Sequence, residues 1–284
     1  MKILFLGDIV GRKAVNVVCS KLPSIRENLN LDFVIVNAEN SYDGFGITPD
    51  ICNQLFSSGV DVITPGDHIW NQKSIIPYIK NEPRLLRPIN LLNKNHGLSY
   101  NKYLLKNGLS IVVVGIMGKV FIDNGTTKQV SSPFSAINEV LLKYSLPVKG
   151  MSDSTKDIVN AIFIDIHAEA TSEKMAFAHF IDGRVSAVIG THTHVPTADT
   201  CILSGGTAYQ SDAGMCGDYD SSIGMTVKSS LNLFTDRNPN IRLTVADGEV
   251  SLCGVIIEID DATGLSISID NFILSNRLKS TYSI

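Results

Sequence analysis

The sequence predicts an α/β fold in which two β-sheets pack face to face with helices outside. Two observations carry this prediction. The chain opens on short β-like runs spaced by helix-compatible stretches, and it closes on runs that alternate apolar and polar residues between tight turns. The first pattern belongs to parallel βα units and the second to an antiparallel meander, so one sheet of one type does not accommodate both.

In the opening part, Ile3 to Leu6, Phe33 to Val36 and Val60 to Thr64 are the β-like runs, each ending in polar residues. The first connection, Lys13 to Leu29, contains Pro23, which is expected to break or kink its helix. In the second, Thr48 is placed to cap a helix running from Pro49 to Ser58, and Pro49 suits its first position. Leu98 to Leu105 and Leu109 to Ile116 read as a hairpin turning at Asn107-Gly108, and a helix is expected after Pro133. The segment Ser145 to Asp157, rich in Ser, Lys, Asp, Gly and Pro, reads as an exposed loop.

Ile158 to Ile166 is almost wholly apolar, as a strand buried on both faces must be, and it runs into His167-Ala168-Glu169. A helix from Ser172 to Ile181 leads to the strand Val185 to Ile189, followed by Gly190-Thr191-His192-Thr193-His194. The meander comprises Ile241 to Ala246, Val250 to Ile259 and Leu265 to Ile273. One domain covering residues 1–284 is expected, since 44% hydrophobic and 18% charged residues supply a sizeable core.

Net charge is −4 with no basic run, which argues against stable nucleic-acid binding. Cys19, Cys52, Cys201, Cys216 and Cys253 form no C-x-x-C pair and suit reduced thiols. The apolar start is interrupted at Asp8, and no run reaches membrane-spanning length. A cytoplasmic protein without membrane association is expected.

Metal-type side chains stand at five strand ends: Asp8, Glu39-Asn40, Asp67-His68, His167, and His192 with His194. Each alone reads as a cap, a turn or a satisfied histidine. Together they matter, because strand ends of one sheet converge in space however far apart they lie in sequence. Carboxylates mixed with imidazoles, without cysteine, favour Mn, Fe or Zn in a hydrolytic site. Six ligands exceed one tetrahedral ion, and two metals can share a carboxylate and a hydroxide and orient an in-line displacement at phosphorus. His192 and His194 would point to opposite sides of a straight strand, so a turn at Gly190-Thr191 is expected.

These motifs, in the order Gly7-Asp8, Asn37-Ala38-Glu39-Asn40, Gly66-Asp67-His68, His167-Ala168-Glu169 and Gly190-Thr191-His192-Thr193-His194, resemble calcineurin-like metallophosphoesterases, and most closely the bacterial YmdB-like group. The resemblance spans nearly the whole chain and includes Asp182-Gly183-Arg184 and Asp212-Ala213-Gly214-Met215. It implies a four-layer αββα sandwich of two mixed sheets. It also implies a centre in which Asp8 and His194 hold one Fe or Mn ion, His167 and His192 the other, and Glu39 bridges. Asn40 then lies beside the site, and His68 contacts the scissile phosphate or protonates the leaving oxygen. Hydrolysis of small phosphodiesters, cyclic nucleotides among them, and self-association are further implications.

The chain departs from the pattern of its relatives at Val10, where the wider superfamily has His, at Asp67, where the motif has Asn, and at Lys119, where relatives tend to have Arg. The extra carboxylate of Asp67 removes about one unit of positive charge from a two-metal centre. Tighter metal binding with a weaker Lewis acid, or a trivalent ion at one position, is expected. Two other readings compete: an amidohydrolase, whose H-x-H pair comes early rather than late, and a regulatory metal-binding protein with weak or lost catalysis.

Overall fold

The computed structural model describes residues 1–92, 96–122, 130–147, 155–236 and 242–283. Its strands are β1 Lys2–Leu6, β2 Asp8–Ile9, β3 Phe33–Asn37, β4 Val62–Thr64, β5 Tyr100–Leu104, β6 Ser110–Met117, β7 Tyr144–Ser145, β8 Asp157–Ile158, β9 Ala161–His167, β10 Ala187–Thr191, β11 Cys201–Ile202, β12 Ala208–Gln210, β13 Met215–Asp218, β14 Val250–Ile259 and β15 Ser266–Leu274. Its helices are α1 Gly11–Asn28, α2 Pro49–Ser57, α3 Ile75–Ile79, α4 Pro133–Ala136, α5 Asn138–Lys143, α6 Thr171–Ile181 and α7 Val227–Asp236. Among the described residues no helix is long and apolar enough to cross a membrane.

The strands form two large mixed sheets, ordered β2-β13-β14-β1-β3-β4, with β15 also on β14, and β11-β12-β10-β9-β6-β5. The second has a parallel centre, β6 with β9 and β9 with β10, whereas in the first the parallel strands β1, β3 and β4 form one side and β1 pairs antiparallel with β14. The antiparallel tail therefore does not form a sheet of its own, because β14 pairs with β1 and extends the first sheet.

Pleat alternation builds the layers. From β1, Ile3 and Phe5 face the second sheet and join Ile35, Val113, Phe163 and Ile189 in one buried cluster. The rings of Phe5 and Phe163 meet across it at 5.1 Å. Leu4 and Leu6 face the other way and pack with Val18, Leu22 and Ile25 of α1. On the far side, Ile162 and Ile164 pack with Phe177 and Ile181 of α6. Helix, sheet, sheet and helix follow in that order, which is the αββα sandwich.

Several local expectations change. Helix α1 runs unbroken through Pro23, because Pro23 lies on the exposed side while Val18, Leu22 and Ile25 are buried and hold the helix across the missing bond. Thr48 occupies the N-cap position of α2, but its hydroxyl bonds the Asp50 carboxylate rather than a helix N–H. The strand expected at Ile241 to Ala246 is reduced to a bridge between Val245 and Met225, since Thr244 and Ala246 pair with the 224–226 segment; Ile241 lies outside the described residues. The loop expected at 145–157 is partly structured: Tyr144 and Leu146 are buried and β7 pairs with β8, with 148–154 outside the described residues. The Asn107-Gly108 hairpin forms, joining antiparallel β5 and β6 with Gly108 at φ +85°.

Candidate metal centre

The six proposed ligands converge where the two sheets meet. Asp8 lies in β2, Glu39 two residues past β3 and Asp67 three residues past β4, all in the first sheet; His167 ends β9, and His192 and His194 follow β10 in the second. Ligand atoms of Glu39, Asp67, His167 and His192 all lie within 4.8 Å of one another. His167 Nε2 is 3.1 Å from Glu39 Oε1, 3.5 Å from Asp67 Oδ1 and 3.0 Å from His192 Nδ1. Asp8 and His194 stand alongside, with Asp8 Oδ1 3.9 Å from His194 Nε2 and equally far from His167 Nδ1. The structure thus brings together all the ligands expected from sequence.

The turn that delivers His192 and His194 is not where it was expected. Gly190 and Thr191 remain in β10, and the chain turns at the histidines themselves, with φ +98° at His192 and +66° at His194. Gly190 serves a different need: a Cβ there would stand 1.9 Å from the Ser211 carbonyl oxygen. Left-handed backbone at two non-glycine residues costs energy that the surroundings must offset. The offset is a buried ion pair. Lys174 Nζ donates to Thr191 O at 2.9 Å and to Asp212 Oδ2 at 3.1 Å, and the same oxygen accepts from Thr193 N and Thr193 Oγ1. Tyr219 adds a hydroxyl bond to His194 O at 3.0 Å.

Polar partners orient two of the imidazoles. His194 Nδ1 is 2.8 Å from Ile223 O, an acceptor only, so Nδ1 carries the proton and Nε2 is bare toward Asp8. Glu169 Oε2 stands 3.2 Å from His192 Nε2, an ion-pair contact that favours the proton on Nε2 and leaves Nδ1 toward His167.

These residues fit a cation. Asp8 Oδ1 is fully buried and has no hydrogen-bond donor among the described residues, a cost that an ion removes. A Cβ on Gly66 would lie 2.2 Å from Glu39 Oε2 and 2.3 Å from His167 Nε2, so the backbone at 66 closes directly over the donor atoms. With protein charges alone, burial raises the Asp8 carboxyl to about 6. Burial also opposes charge on Glu39, but the charge and hydrogen bond of His167 prevail and bring it down to about 2. His167, pushed down by burial, is carried well above its ordinary range by Glu39 and its neighbours, while burial and the His167 charge lower His192 to about 4.

A cleft of about 360 Å³ opens over the cluster, its lining including Glu39, Asn40, His68, Glu169, His192 and His194 together with Phe45, Ile223, Met225 and Leu243. Phe45 is part of this lining and holds the His68 ring edge-on at 5.2 Å. His68 N donates to Glu39 Oε2 at 3.1 Å. Asn40 gives Nδ2 to Gly44 O, and its Oδ1 faces no hydrogen-bond donor among the described residues. His96 is half-buried against Trp70, and His179 is exposed on α6. Lys119 does not line the cleft; its backbone N–H bonds Glu173 at 2.9 Å.

Residues 4–272 match the family model described as YmdB-like protein. The chain belongs to this family. A 2',3'-cyclic-nucleotide 2'-phosphodiesterase of Bacillus subtilis (strain 168) is 38% identical over 276 residues, covering 97% of this chain and 98% of that protein. A putative phosphatase/phosphodiesterase of Mycoplasma genitalium is 33% identical, covering 95% and 92%. Among solved structures, a Mycoplasma pneumoniae protein titled a novel phosphatase superposes with TM-score 0.86 at 32% identity, over 96% of this chain and 93% of that one. A hypothetical protein from Thermus thermophilus gives TM-score 0.84 at 33% identity, over 96% and 99%. By family and fold, this YmdB-like chain is a phosphoric ester hydrolase.

Sequence reasoning missed the supporting residues of the YmdB-like site. Glu169 and Asp212 stand in the quoted motifs without an assigned role, and Lys174 follows Glu169 in the helix α6. Asp165 carried a readable signal: it is the one charged residue in the apolar run 158–166, and it is fully buried.

Proposed function

We propose that this protein is a two-metal phosphodiesterase acting on cyclic nucleotides or related small phosphodiesters, with Asp8, Glu39, Asp67, His167, His192 and His194 as ligands. The observation that carries the reading is the convergence of Glu39, Asp67, His167 and His192 within 4.8 Å, with Asp8 and His194 alongside and one buried Asp8 oxygen that has no hydrogen-bond donor among the described residues. By resemblance to the family's centre, Glu39, which groups with Asp67, His167 and His192, would be the ligand shared by the two ions. Fe or Mn suits this donor set, and Zn is compatible with it. Bound there, two ions supply an activated water and Lewis-acid stabilisation of an in-line displacement.

The chain's own residues do the rest. His68, at the cleft edge and steadied by Phe45, is positioned to contact the phosphate and to protonate the leaving oxygen, for which an imidazole is suited near neutral pH. Asn40 supplies a polar contact beside it. No Lys or Arg side chain is among the described residues lining the cleft, and Glu169 adds negative charge, so a singly charged diester meets less repulsion than a doubly charged monoester. The Bacillus relative named for 2',3'-cyclic nucleotides supports the same choice.

Hydrolysis of bis-p-nitrophenyl phosphate by the Mn-loaded protein tests this. Activity that falls by about 10³-fold, roughly 4 kcal/mol, in Glu39→Gln and by about 10²-fold in His68→Ala supports the enzyme. Inactivity of fully loaded wild type would leave the regulatory reading.

A further inference from the structure

The alternation that builds the apolar layer between the sheets continues into the metal centre. Along β9 the inward positions are Ala161, Phe163, Asp165 and His167, and along β3 they are Phe33, Ile35 and Asn37. Apolar packing thus gives way to a buried polar pair one pleat below the ligands. Asn37, Thr64, Asp165, His167 and Thr191 are all fully buried, so each of their protons has a definite destination within the protein.

A backbone N–H can only donate, and one of them sets the direction of the whole chain of bonds. Glu39 N donates to Asn37 Oδ1 at 3.2 Å, so the amide nitrogen of Asn37 is the atom facing Asp165 Oδ2 at 2.9 Å, and it donates. The Thr64 hydroxyl meets the same oxygen at 2.6 Å. Asp165 Oδ1 has the Thr191 hydroxyl as its partner, at 2.7 Å, so the single Thr191 proton is spent on the carboxylate. Thr191 Oγ1 is then an acceptor toward His167 Nδ1, 2.9 Å away. That places the ring proton on Nδ1 and the lone pair on Nε2, the atom facing Glu39, Asp67 and His192.

We infer that Asp165, acting through the Thr191 hydroxyl, is a positioning residue that fixes His167 as the Nδ1–H tautomer and so presents Nε2 to a metal ion. Through Asn37 and Thr64 the same carboxylate ties the ends of β3 and β4 to β9 and β10, joining the two ligand-bearing sheets beneath the centre. The inference rests on the reading of the cluster as a metal centre. Its reach is specific: His192 and His194 take their ring orientation from Glu169 and Ile223, not from Asp165.

The test is Zn²⁺ affinity of the full chain, measured by competition with a chromophoric chelator, together with the slowly exchanging His167 ring N–H seen by proton NMR in the Zn²⁺-loaded protein. Thr191→Val removes the acceptor and is expected to weaken Zn²⁺ binding by about 10–100-fold and to abolish the protected ring N–H. Thr191→Ser, which keeps the hydroxyl, restores both. Asp165→Asn preserves volume but can turn an N–H toward Thr191, forcing that hydroxyl to donate to Nδ1; the same order of loss is expected. Should Thr191→Val fail to fold, Asp165→Asn and Thr191→Ser decide the matter. Wild-type affinity in folded Asp165→Asn, or a Thr191→Ser variant as weak as Asp165→Asn, overturns the relay while leaving the metal centre intact. A wild-type protein that binds no Zn²⁺ overturns the metal reading and the relay with it.

Discussion

The two sheets divide the ligand chemistry: the first contributes carboxylates and the second imidazoles. Asp8, Glu39 and Asp67 sit at ordinary strand ends with no positive φ, whereas His192 and His194 both occupy left-handed backbone. The difference follows from the donor groups. A carboxylate offers two equivalent oxygens and needs only to arrive. An imidazole has two inequivalent nitrogens, and its tautomer and ring plane must both be set. The imidazoles accordingly draw on a supporting set of Lys174, Asp212, Glu169 and the Ile223 carbonyl, while the carboxylates rely on close backbone approach at Gly66.

The largest expected effect breaks the imidazole side. Lys174→Met strands the Asp212 carboxylate in a buried site and frees the 191–194 turn, so a loss of about 3–5 kcal/mol is expected in a urea melt. A loss below about 1 kcal/mol would show that the turn does not depend on the pair.

On the carboxylate side, Asp8→Asn should stabilise the metal-free protein. The folded Asp8 pKa of about 6 lies above the ordinary 3.8, so its charged form carries a penalty above pH 6 that disappears as pH falls below about 4. The variant never carries that penalty. A gain on the order of 3 kcal/mol at pH 8, shrinking to nothing near pH 4, is expected in thermal melts of chelator-treated protein. A gain independent of pH would refute this account.

Gly66→Ala tests whether close approach is what the first sheet supplies. Its Cβ collides with Glu39 and His167, and Mn²⁺ affinity should drop at least about tenfold, or 1.4 kcal/mol, with the far-UV spectrum unchanged. Smallest is Asp67→Asn, which removes the third carboxylate and restores one unit of positive charge. Weaker metal retention and a pH–rate profile displaced to lower pH by roughly one unit are expected. Unchanged metal loading and profile would mean that the extra carboxylate is electrostatically silent.

Much of this was legible in the chain. Strand-end Asp8, Glu39, Asp67 and His167 are read directly, because polar residues terminating apolar runs mark where a sheet delivers its ligands. Less legible were features set by distant neighbours. Pro23 reads as a breaker in the sequence, since the buried stripe of Val18, Leu22 and Ile25 outweighs it only once α1 lies on its sheet. The turn at His192 is assigned to Gly190 from sequence because a glycine signals freedom of φ, whereas this one is required by the Ser211 backbone beside it.

By itself the sequence determined which candidate donors stand at strand ends and that two sheets pack face to face with helices outside, since period-two alternation and the order of apolar runs are local properties. Only the tertiary structure decided which tautomer each imidazole adopts, where the chain turns at His192 and His194, and that Asp165 stands below the centre rather than in it. These depend on partners from the opposite sheet or more than about ten residues away, and a hydrogen bond's direction is fixed only when every neighbour competing for the proton is in place.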